Sequence, residues 1–228
     1  MKSMSLRGSR KGQSGFTLVE IAIVLVIIGL LLGGVLKGQE LIENGRVKNA
    51  TNDMNGIVAA YNSYLDRYRR LPGDDGPAIT DLTNRGGSFA SVTAFGNNDG
   101  VITAAAANTF NSAAGESLAF FQHLRAAGYL SGDPAAVAAN TNPTNAWGGR
   151  IGIANVALQG RASAKLLVCL SNVPGKAARA LDAQLDDGVG ATGSFRATVG
   201  TGITVPVAAA LAAPYNDDQT YTVCRDLS

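Results

Sequence analysis

The sequence predicts an α+β fold in which a long N-terminal helix packs on a small antiparallel sheet. Three observations lead there. An apolar run with a single charge occupies residues 16–36, a stripe at helical spacing continues it to residue 68, and short apolar or alternating runs follow in the C-terminal half. At 228 residues the chain has room for one ordinary domain with an appendage.

The first element reads FTLVEIAIVLVIIGLLLGGVL, with Glu20 its sole charge. At 1.5 Å per residue a helix of this length spans roughly 30 Å, the thickness of a bilayer core. Phe, Leu, Ile and Val fill 15 of the 21 positions; at about −0.3 to −0.6 kcal/mol each they favour insertion by roughly 5 to 9 kcal/mol. One carboxylate close to the end of the span does not offset that sum. The run is too long for a secretory signal peptide, and GGVLKGQE offers no small-residue cleavage site. A generic anchor gives no reason for an acid four residues inside its own start, where acids mark a partner or a function.

Residues 37–71 continue the helix in amphipathic form. Val47, Ala50, Met54, Ile57, Tyr61, Tyr64 and Tyr68 recur at steps of three and four, and Leu71-Pro72-Gly73 stops the pattern. The stripe is a face for the C-terminal part to fold on, with a free coiled coil as the alternative. Gly29, Gly33, Gly34 and Gly38 are either points of local unwinding or sites of close helix packing.

Residues 72–228 form the globular part. Pro72 to Asn111 is rich in Gly, Asn, Asp and Thr and reads as a long structured loop. Glu116 to Ala127 is a short helix closed by Gly128. Arg150–Leu158, Lys165–Leu170, Phe195–Val199 and Tyr221–Arg225 suit strands, and Gly175–Leu185 a helix ended by Asp186-Asp187-Gly188.

Lys11 to Glu20, KGQSGFTLVE, followed by the apolar run, resembles the N-terminus of type IV pilins and of the pseudopilins of type II secretion. The resemblance covers roughly residues 11–45. It implies that residues 1–15 are a leader, that a prepilin peptidase cuts between Gly15 and Phe16 and methylates the new amine of Phe16, and that Glu20 pairs with that amine on a neighbouring subunit. It further implies a precursor in the bacterial inner membrane, spanning it once, with the C-terminal domain outside the cytoplasm. Inner-membrane machinery then assembles identical or related subunits into a pilus or a periplasmic pseudopilus. The proline that many members carry near the end of the anchor is replaced here by Lys37-Gly38. Three readings stay open on sequence: a pilus subunit, a secretion pseudopilin, and a minor pilin with a surface-, sugar- or DNA-binding head.

Composition narrows the chemistry. Lys2, Arg7, Arg10 and Lys11 bring the leader to +4 with no acid, so the remainder of a chain of net charge +2 stands at −2. That balance argues against a dedicated nucleic-acid surface. No enzyme site or cofactor motif is legible, and His123, the single histidine, reads as a residue that caps or packs its short helix. Cys169 and Cys224, an even count in an exported domain, suggest one disulfide, with two unrelated buried thiols as the alternative. Asp74, Asp75, Asn97 and Asp99 sit on Gly-rich loops whose oxygens suit calcium, with plain Asn/Asp/Gly turns as the alternative.

Overall fold

The computed structural model describes residues 17–137 and 141–227. They fall into two compact units divided between Ile42 and Glu43. The layout is α+β and pilin-like: a long N-terminal helix with a four-stranded antiparallel sheet.

Helix α1 runs Leu18–Tyr68 and contributes to both units. In the first unit its apolar side chains are exposed, from Leu18 at 91% to Leu41 at 62%. A helix long and apolar enough to cross a membrane is thus present, with its apolar surface uncovered by protein. Lys37 and Glu40 form an exposed ion pair, 2.7 Å apart, just past the apolar run.

The second unit holds α2 (Ile79–Thr83), α3 (Gly115–Ala126), β1 (Ile151–Val156), β2 (Lys165–Pro174), α4 (Gly175–Leu185), β3 (Phe195–Val199) and β4 (Thr220–Asp226). The sheet order is β1-β2-β4-β3, so the last strand in sequence lies inside the sheet. The predicted stripe of α1 faces this core: Val47, Ala50, Met54, Ile57, Tyr61 and Tyr64 are buried and Tyr68 partly so. They share a cluster with Phe120, Phe121 and Leu124 of α3, Leu181 of α4, and Val168, Leu170 and Val223 of the sheet. Strand periodicity sends alternate residues to the opposite face. There Leu167, Cys169 and Cys224 pack with Phe110 and Leu158, with Val205 against them.

Boundaries differ from expectation for local reasons. Helix α1 ends at Tyr68 because Arg69 takes a left-handed φ of 55° and Pro72 follows. Strand β2 continues past Leu170 to Pro174 through a register shift between Leu170 and Val173, with Asn172 at φ 57°. A β-bulge of this kind lets a polar Ser-Asn pair interrupt the apolar pattern without ending the strand.

Candidate processing and assembly site

The N-terminal end of α1 carries the residues singled out by the sequence. Gly15 and Phe16, the expected cleavage and methylation positions, lie outside the described residues. Thr17 is the first described residue and caps the helix. Its backbone N–H and its hydroxyl both donate to Glu20 Oε2, at 2.8 and 2.9 Å, and the Glu20 N–H donates back to Thr17 Oγ1 at 3.2 Å. This is a capping box, in which a Thr and an acid three residues on satisfy each other's orphan donors at a helix start. The helix dipole adds to it, since negative charge is stabilised at an N-terminus. One carboxylate oxygen is thereby occupied, while Glu20 Oε1 has no partner among the described residues. The signal for this latch, Thr17-x-x-Glu20, is in the sequence, although the acid there reads first as a partner for another subunit.

Of the residues expected to bind calcium, Asp74, Asn97 and Asp99 are linked by hydrogen bonds, and Asp75 is bonded to Arg85 and Tyr64. Both Asp75 oxygens face the Arg85 guanidinium, at 2.7 and 3.0 Å, and the Tyr64 hydroxyl donates to one of them at 2.7 Å. The two Asp74 oxygens accept the N–H groups of Asp99 and Gly100. Asp99 accepts from Val101 N–H and Asn97 Nδ2, and Asn97 Oδ1 accepts from Asp99 N–H. Every oxygen in the four side chains thus has a protein donor. The carboxylates that approach within 4.8 Å of one another are instead Asp182, Asp186 and Asp187. These are also engaged, with Tyr215, Gly188, Phe195, Val189 and Thr192 as donors.

His123 does more than pack its own helix. It is fully buried, accepts the Gly73 N–H at Nδ1 (3.0 Å), and has Nε2 3.1 Å from the Ala94 carbonyl. These two partners fix the neutral tautomer with the proton on Nε2. Burial drives its pKa down to about 4, against the opposing pull of the Ala94 carbonyl and of Asp75. Asp75 is also held below the usual carboxylate value: burial works to raise it, and the bonds from Arg85 and Tyr64 outweigh burial. Gln122 and Glu116, also on α3, accept N–H groups from Thr93, Ala94, Asn97 and Thr103. One helix therefore fixes most of a loop that has no strand of its own.

Cys169 and Cys224 face each other in register on β2 and β4 and are joined by a disulfide, with Cα atoms 4.0 Å apart. Both are fully buried on the sheet face opposite α1.

Residues 10–36 match the family model described as the prokaryotic N-terminal methylation motif. The chain carries the type IV pilin and pseudopilin signature. No curated protein matches it. The motif spans Gly15, Phe16 and Glu20 together with the apolar run, and marks a pilin-like or pseudopilin precursor. The pilin-type family is structural, its members assemble into multi-subunit filaments with processing machinery, and the exposed apolar helix suits a precursor's membrane anchor.

Proposed function

We propose that this chain is a structural subunit of a type IV pilus-like filament, anchored in the inner membrane as a precursor. Prepilin peptidase cuts the Gly15–Phe16 bond and methylates the Phe16 amine. The subunit then enters the filament through its N-terminal helix, with Glu20 drawing in the Phe16 amine of a neighbour. The observation that carries this reading is the state of Glu20 directly behind the methylation motif. Its carboxylate keeps one oxygen on Thr17, and the other has no partner among the described residues, at the start of an exposed apolar helix.

A charge pair in a low-dielectric surrounding attracts strongly, and a neighbour in the wrong register leaves both charges unpaired. The pair thus sets axial register while the apolar faces supply adhesion. Two measurements test the proposal together. Mass spectrometry of sheared surface filaments should find this chain beginning at N-methylated Phe16. Glu20→Val should insert in the membrane and be cleaved, yet build few filaments. Normal filaments from Glu20→Val, or a chain that keeps its leader, would overturn it.

A further inference from the structure

Arg125, near the end of α3, is 8% exposed. Its Nε and Nη2 donate to the carbonyls of Ser131 (3.3 Å) and Thr141 (2.6 Å), and Nη1 is buried without an acceptor among the described residues. Among the described residues no carboxylate lies within ion-pair distance of it. Arg161 shows how this fold treats a guanidinium that is only structural. Asp226 sits 2.8 Å from its Nε, and Gln159, Ser194 and Cys224 take its remaining nitrogens. Asp133 acts on Arg125 only from beyond ion-pair distance; a buried guanidinium without a paired counter-charge is costly, and an anion in contact with it reduces that cost.

The Arg125 side chain lines a cavity of about 470 Å³, together with Asn52, Asp53 and Gly56 of α1, Tyr129 and Thr144. A cavity of a few hundred Å³ with convergent polar groups is of small-ligand size, larger than one acidic side chain from another protein fills. The lining also selects the chemistry. Asp53 repels a simple inorganic anion but accepts from hydroxyls, as the Asn52 amide and Thr144 hydroxyl can. Tyr129 offers an aromatic ring for an apolar ring face.

We propose that this cavity binds a hydroxylated carboxylate, the chemistry of a hexuronate unit, with Arg125 receiving the carboxylate and Asp53 and Asn52 the hydroxyls. The site lies within the second unit, on the part of α1 that follows Glu43.

The full chain in detergent micelles can be titrated with galacturonate, with galactose, acetate and inorganic phosphate as comparisons, by saturation-transfer NMR and calorimetry. Galacturonate should bind with a dissociation constant on the order of millimolar, at least about tenfold tighter than any of the three comparisons, since each lacks one half of the contacts. Gly56→Gln should abolish binding. Gly56 lines the cavity and a Cβ there meets nothing within 4 Å, so a longer side chain at the rim is accommodated while the helix gains by the loss of a glycine. Arg125→Gln should weaken galacturonate at least about tenfold while leaving galactose unchanged. If that variant does not fold, the exposed Asp53→Ala replaces it, with a loss of similar size. No binding of galacturonate at tens of millimolar overturns the proposal, as does equal binding of a comparison ligand or undiminished binding by Gly56→Gln.

Discussion

Acidification should destabilise the head through one residue. In the fold His123 is neutral, fully buried, and bonded to Gly73 and Ala94. In the unfolded chain it titrates at its ordinary value of 6.5, whereas burial holds it at about 4 in the fold. Between those values the unfolded chain binds a proton that the folded chain refuses, so stability rises with pH in this window. The contribution is full above pH 6.5, declines as pH falls from there, and is exhausted below about pH 4. At about 1.4 kcal/mol per pH unit the total is about 3 kcal/mol. For a chain of this size that lowers the melting temperature by about 6–12 °C. His123 is the sole histidine, which keeps the window clean. Asp182, raised by burial, works in the opposite direction and gains stability as pH falls. The assay is thermal unfolding by circular dichroism at pH 7, 6, 5 and 4.5, comparing the parent with His123→Gln. The variant should start less stable, since the Gly73 and Ala94 bonds are disturbed, and its melting temperature should change far less with pH. Parallel pH profiles for the two proteins would refute the assignment.

Replacing both cysteines by Ala removes a link across 55 residues, worth about 4 kcal/mol in the chain-entropy model; calorimetry should show a melting temperature lower by about 8–16 °C, and a change under 2 °C would mean that strand pairing alone secures β4. Thr17→Val should remove the hydroxyl bond to Glu20 and leave only the backbone N–H on its carboxylate, while Thr17→Ser retains both, so filament yield should change in the first and not the second; equal yields would show that the hydroxyl bond is idle. Asp75→Asn leaves Arg85 without its counter-charge at 2.7 Å and should cost about 3 kcal/mol in urea unfolding; a loss below about 1 kcal/mol would mark the pair as dispensable. Millimolar calcium should leave the melting temperature of the full chain unchanged, because the oxygens of Asp74, Asp75, Asn97 and Asp99 already have donors; an upward shift would restore an ion to those loops.

The sequence was legible wherever the determining interaction is local and periodic. The α1 stripe, helices α3 and α4 and all four strands are visible because burial imposes a period of 3.6 or 2 on neighbouring residues, whereas the short α2 fell in the stretch read as a loop. Between Pro72 and Asn111 it was not. There the backbone is satisfied by Glu116, Gln122 and His123, side chains up to 50 residues away, which no window over the loop reveals. The same holds for Asp74 and Asp75, whose bonds to the Asp99 and Gly100 amides and to Arg85 join residues up to 26 positions apart. At the N-terminal site the identity of Glu20 was readable, and its attachment to Thr17 was available in the same four residues. Arg125 gives no sequence signal, because its anomaly is a missing partner.

The position of β4 has a consequence for the order in which the chain emerges. Strands β1 and β2 can pair as soon as they are synthesised, whereas β3 has no neighbour until β4 arrives to lie between it and β2. A chain halted before Thr220 holds two open strand edges and a lone Cys169 thiol, the features that invite mispairing between chains. Seven residues late in the sequence thus act as the closing piece of the sheet. Until they are in place, the sheet lacks the strand that joins β3 to β2.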